Sequence, residues 1–242
     1  MGFETVILGS GYFSLGYATT HENTLIIEDT QLVDPHFFGT LSGFESNVEK
    51  PTAIGAAALY DALVNEGAVK AGKLAVNELE PAVCRFIADK KLNVLLGTFC
   101  TAIEREGDGY KIEICNNEGL NTVRAQKVID TRLEYGNRMN LLVAVNDGKI
   151  PDLPCVTPAF YDDQRIIELT FAEACDINEA KLRILDLQNE LCKAGARIVC
   201  TSYRMFGAPH FEPYTDENGI LHVDETAEGG IFAAYEKGEL WK

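Results

Sequence analysis

The 242-residue chain is 46% hydrophobic and 24% charged, which supplies a sizeable core and excludes wholesale disorder. A formal net charge of −16 repels a phosphate backbone, so no nucleic-acid partner is expected. No apolar run approaches the roughly 20 residues that cross a bilayer, and no basic leader with a cleavage site opens the chain, so no membrane partner and a cytoplasmic location are expected.

Glu4 to Leu8 is a short apolar run ending at Gly9, as a buried parallel strand requires. Leu25 to Ile27 repeats the pattern and ends in Glu28 and Asp29, with room between the two runs for a short helix. Gln31 to Glu49 reads as irregular, with Pro35 and Gly39 as breakers. The Ala- and Leu-rich stretch from Thr52 to Val76 predicts one helix or two, ending near Gly67 or Gly72. Asn77, with Glu80 three residues on and then Pro81, predicts a capped helix start. That helix runs to about Lys91, ahead of a strand from Asn93 to Thr98.

Alternating segments with GDG and NNEG turns follow, closing on VID at Val128 to Asp130, and predict an antiparallel meander. Met139 to Val145 is apolar, and a proline-punctuated loop follows it. INEAKLRILDLQNELCKAG is the clearest amphipathic helix, with Asn178 as a candidate cap and Gly195 as its stop. ARIVCTSY reads as a strand, and the tail as a turn at Asp216 to Gly219, a short strand and a final helix. The predicted fold is α/β: a Rossmann-like domain with a mainly parallel central sheet and a small antiparallel meander, over residues 1–139 and 213–242, with a minimal inserted cap over 140–212.

Gly9, Gly11 and Ser14 occupy the GxGxxG positions. The first glycine permits the tight turn, the second lets backbone approach a pyrophosphate, and the third position sets helix packing, which serine loosens. A pyrophosphate would rest on the free amides of the helix start. Glu28 lies nineteen residues after Gly9, close to the roughly 20 at which an acid meets ribose hydroxyls.

The strand, turn, helix, strand and terminal acid, together with HFFGTLSG at His36 to Gly43, the block from Glu80 to Asp130 and the tail HVDETAEGG, resemble the FAD-dependent oxidoreductases of the two-dinucleotide-binding-domain fold. The resemblance covers residues 1 to about 132 and, loosely, 220–242. It implies FAD as cofactor, with contacts at Gly9, Gly11, Ser14, Glu28, Gly39, Thr40 and, through its backbone, Cys100. It places Asp224, Gly229 and Gly230 at the ribityl and flavin end. After VID the chain continues as TRLEYG, so Arg132 stands where that family carries a small residue. It either pairs with a phosphate or fills the adenosine side.

Other chemistry is sparse. GYFSLG lacks the glycine that a nucleophile elbow needs two residues before its serine. The histidines are far apart and the seven cysteines are single, so neither a metal site nor a disulfide framework is expected. Tyr203, Arg204 and His210 are the candidate substrate residues, Arg as a carboxylate clamp and Tyr or His as a proton donor. No catalytic residue is assigned.

The expected activity is a compact FAD-dependent oxidoreductase acting on a small molecule, completed by a homo- or hetero-oligomeric partner. The alternative is a subunit of the same fold that works without cofactor in binding or assembly. A nicotinamide-only dehydrogenase fits less well, because the meander and tail blocks look flavin-related.

Overall fold

The structure is a computed structural model that describes residues 2–42, 48–132, 136–145, 156–172, 175–207, 210–224 and 230–242. The chain opens with β1 (Gly2–Leu8), α1 (Tyr12–Thr20) and β2 (Thr24–Ile27), then α2 (Pro35–Thr40) and α3 (Ile54–Asn65). A hairpin, β3 (Val69–Lys70) with β4 (Lys73–Leu74), leads to α4 (Val76–Lys90) and β5 (Asn93–Leu95). The meander is β6 (Phe99–Glu106), β7 (Gly109–Asn116) and β8 (Gly119–Asp130). β9 (Arg138–Val145), β10 (Val156–Pro158), β11 (Gln164–Thr170), α5 (Ile177–Lys193) and β12 (Ala196–Thr201) follow. The tail is β13 (Tyr214–Thr215), β14 (Leu221–His222) and α6 (Gly230–Glu239).

The main sheet runs β13-β14-β8-β1-β2-β5, and its β14, β8, β1, β2 and β5 are parallel neighbours. Alternation along β1 divides its side chains between two layers. Ile7 joins Phe13, Leu15 and Ile26 under the helices, whereas Val6 and Leu8 join Ile112, Ile114 and Val128 under the meander. Both faces of the parallel sheet are therefore covered, as burial of such strands demands.

A second, antiparallel sheet has the order β10-β11-β9-β12. Its strand β9 turns Met139, Leu141, Val143 and Val145 toward α5, and Leu142 toward the main core.

Several local expectations change. α2 begins at Pro35, which suits a first helical position because its missing N–H has no partner there anyway. The Ala-rich stretch ends its helix at Asn65 and then forms the β3–β4 hairpin, which turns through positive φ at Ala71 and Gly72. Asn77 lies inside α4, whose N-cap is Ala75. The cap of α5 is Asp176, in a reciprocal box with Glu179, and not Asn178.

α1 and α6 pack backbone against backbone. A Cβ on Gly16 would strike the Tyr235 carbonyl, and one on Gly238 would strike that of Phe13. The close approach expected of the third motif position is thus made two residues later, at Gly16, toward a helix.

Candidate functional site

The parallel strands end together. Leu8 pairs with Ile27 on one side and Asp130 on the other, and Asp130 pairs with His222. Ladder bonds continue one residue further: Gly9 N donates to Ile27 O at 2.9 Å, Thr131 N to Leu8 O at 2.8 Å, and Val223 N to Asp130 O at 3.0 Å. Gly9, Glu28, Thr131 and Asp224 consequently gather on one rim. It lies at the strands' carboxyl ends where chain order reverses around β1, the place at which open α/β sheets bind ligands.

Gly9 has φ +106°, and any Cβ there would also meet the Thr131 hydroxyl. Ser14 Oγ lies 3.3 Å from that same hydroxyl, which donates to Leu8 O at 3.1 Å. Serine at the third motif position is therefore a partner of Thr131 and not a loosened contact. Gly11 caps α1 without any side-chain hydrogen bond, so the first-turn amides are left for an anion.

Glu28 is buried and fully engaged with the turn. Its Oε2 accepts from Ser10 N at 3.1 Å and Ser10 Oγ at 3.0 Å, and its Oε1 from Thr30 N at 3.0 Å. Burial, and then the adjoining Asp29 carboxyl, raise its pKa. Asp34, buried behind the turn, caps α2 by accepting from Phe37 N at 2.9 Å, and burial pushes it up to about 7. Tyr12 and Glu80 share this buried acidic pocket, and burial raises the pKa of each.

Arg132 folds back on Asp130, with Nε to Oδ1 at 2.9 Å and Nη2 to Oδ2 at 2.6 Å. It remains within electrostatic reach of Cys100 and Asp29. Cys100 sits at an irregularity of the β6–β7 ladder, and burial raises its thiol pKa.

The loop after β12 docks on α2. Tyr203 N and Arg204 N both donate to Gly39 O, at 2.8 and 3.0 Å, and the Tyr203 ring covers the face where a Gly39 Cβ would stand. Arg204 Nη2 lies 3.3 Å from Asp29. Burial pushes the Tyr203 phenol up to about 12. Thr40 spends its hydroxyl on His36 O and Ser42 Oγ, each at 2.6 Å. Gly39 thus joins α2 to the loop after β12, whereas Thr40 bonds only within its own segment.

His210 Nδ1 lies 2.8 Å from Asp224 Oδ2, and His36 is within electrostatic reach of both and of Arg204. Burial lowers the His36 pKa to about 4, so this imidazole is neutral. Histidines that are remote in sequence therefore meet in one place, which their spacing did not suggest. Gly230 opens α6 at φ +76° beside open space, and Gly229 lies outside the described residues. Among the described residues no group of His, Cys, Asp and Glu is arranged for a metal ion, and no helix is long and apolar enough to cross a membrane.

Asp29, Asp34, His36 and Thr131 were not singled out from the sequence. Thr131 and Asp29 stand one and two residues past a strand end, and Asp34 precedes Pro35 at a helix start, which were the local signals for these three. A dinucleotide fits the adenosine half of this rim: an uncapped helix start, a glycine turn and an acid level with it.

No family model matches the sequence, and no curated protein is detectably similar to it. Solved structures share its fold. The anhydrotetracycline hydroxylase OxyS from Streptomyces rimosus superposes with a TM-score of 0.61 at 12% identity, over 98% of this chain and 60% of that one. The p-nitrophenol 4-monooxygenase from Pseudomonas putida DLL-E4 gives 0.58 at 12% identity, over 98% and 78%. Aklavinone-11 hydroxylase, solved in a ternary complex with FAD and aklavinone, gives 0.54 at 10% identity, over 98% and 60%. The chain thus has the fold of these hydroxylases and spans 60% of the length of two of them.

Proposed function

We propose that the chain is an FAD-dependent oxidoreductase acting on a small molecule. The observation that carries this reading is the uncapped start of α1 after the Gly9 turn, level with Glu28, on the rim of a fold shared with the hydroxylases. The α1 amides would take the pyrophosphate, since they present N–H groups and the positive end of the helix dipole. Glu28 orders the turn through Ser10, and Asp29 beside it would meet the ribose. Cys100 would border the adenosine side, and Asp224 and Gly230 the flavin end. FAD supplies the two-electron chemistry, and the protein supplies orientation and proton handling. A second copy or a partner subunit that completes the substrate pocket is part of this proposal.

The test is purification followed by visible absorption and thermal unfolding with added FAD. Ligand at about 100 times Kd stabilises by about 2.7 kcal/mol, a readily measured shift. Gly11→Val should remove both the colour and the shift by filling the space needed for backbone approach. Colourless protein whose unfolding ignores FAD would overturn the reading in favour of a cofactor-free subunit.

A further inference from the structure

We propose that the chain binds a small zwitterion of the free amino-acid class in a cavity at the amino ends of β2 and β5, where Lys90 and Lys91 take its carboxylate and Glu22 its ammonium. The cavity lies at the opposite end of the sheet from the rim, and the proposal is independent of the oxidoreductase reading.

The cavity measures about 320 Å³, at the lower end of the roughly 300–1,000 Å³ of ligand pockets, so its ligand is small. Of the residues lining it only Ala18 and Leu92 are apolar, so its ligand is polar. Its floor is fixed. Asn93 Nδ2 donates to Thr24 O at 3.2 Å, and Thr24 Oγ1 donates to His21 O at 2.8 Å. His21 is held in turn: its ring stacks on that of Tyr17 with centroids 3.8 Å apart, and its Nδ1 lies 3.0 Å from Tyr17 O. A floor ordered in advance reduces the entropy lost on binding.

The ligand class follows from the charges of the two walls. α1 and α4 both end at this cavity, and a helix carries its negative pole at its carboxyl end. α4 has Lys90 in its last turn and Lys91 at its cap, so its wall is positive. α1 has no basic residue in its last turn, and Glu22 follows it, so its wall is negative. Lysine and glutamate side chains lining one small cavity would ordinarily pair. Among the described residues, however, the Glu22 and Lys91 side chains have no ion pair or hydrogen bond, and Lys90 Nζ lies only over the Phe86 ring, 5.7 Å from its centroid. Opposite charges thus face one space without meeting, and a ligand carrying both signs bridges them. A simple anion would also meet Glu22 and the uncompensated end of α1, and a simple cation would also meet two lysines. A zwitterion matches both walls.

The test uses the full chain, with amide nitrogen-15 spectra recorded at low salt during titration. Glycine, L-alanine and L-glutamine are the zwitterionic probes, and acetate and ethylamine carry the two charges singly. At least one amino acid should give saturable shifts at Asn23, Lys91 and Asn93, and bind about tenfold more tightly than acetate or ethylamine. Glu22→Gln and Lys91→Gln, both at exposed positions, should each weaken that amino acid about tenfold, the scale of one charge-assisted hydrogen bond. Absence of saturable shifts with all three amino acids would overturn the proposal. So would acetate binding as tightly as the amino acids with no effect of Glu22→Gln, which would make the cavity an anion site. FAD uptake by the same protein bears only on the oxidoreductase reading.

Discussion

Replacing Asp34 by asparagine should give stability a rising pH dependence, and replacing His36 by glutamine should give it a falling one. The two groups are neighbours in sequence with opposite shifts. Asp34 moves from 3.8 to about 7, and His36 from 6.5 to about 4, both chiefly through burial. The folded state prefers protonated Asp34, so this contribution is complete below pH 3.8 and is lost as pH climbs toward about 7. The folded state prefers neutral His36, so its contribution is complete above pH 6.5 and is lost as pH falls toward about 4. Each pKa unit corresponds to about 1.4 kcal/mol, so between about pH 4.5 and 7 Asp34 loses roughly 3 kcal/mol while His36 gains a similar amount.

The two slopes nearly cancel in the unaltered protein, and raised Glu28 and Glu80 tilt the balance slightly toward the acid side. Asparagine is the suitable probe. It keeps the cap on Phe37 N and tolerates the left-handed backbone at φ 48°. Urea midpoints at the two pH values, with the slope m held common, measure the effect. Asp34→Asn should become more stable by up to about 3 kcal/mol as pH rises over that window, and His36→Gln less stable by at least as much. Identical pH slopes in Asp34→Asn and the parent protein would show that the Asp34 carboxyl is not desolvated as described.

Gly238→Ala should lower the thermal midpoint by several degrees, because overpacking against the Phe13 carbonyl costs about 1–3 kcal/mol and outweighs the roughly 1 kcal/mol of helix propensity gained. Gly9→Ala should do more, losing the fold or the cofactor, since both the φ of +106° and the Thr131 hydroxyl oppose a side chain; soluble expression and FAD absorption check it. Arg132→Ala should change urea stability by no more than about 1 kcal/mol, because its pair with Asp130 is half-exposed and local. A larger loss would mean that the guanidinium also braces the rim near Asp29.

Where function depends on local chain chemistry, the residues announced it. The GSG turn needs φ > 0 at Gly9, and Glu28 ends an apolar strand nineteen residues later; both are local facts and both stand on the rim. The meander was equally plain, because alternation and glycine turns act over a few residues. The hairpin at Val69 to Leu74 was hidden by alanines, whose helix preference loses to a turn that forces positive φ on Ala71. His36, His210 and Asp224 were illegible as a set because a helix, a loop and a strand end bring them together, and no sequence period links those three.

The departures from the dinucleotide pattern carry a further lesson. Ser14 and Thr131 each look like a separate weakening when taken alone, one of helix packing and one of the small-residue passage after VID. In space they are one contact: the hydroxyls meet at 3.3 Å, and Thr131 also reaches Leu8 O and packs where Gly9 has no side chain. A threonine at 131 requires a glycine at 9 and is satisfied by a hydroxyl at 14. Restoring glycine at 14 alone would leave Thr131 with one partner fewer, at about 1 kcal/mol, instead of improving the motif. The turn is therefore a mutually adjusted variant in which Gly9, Ser14 and Thr131 fit one another.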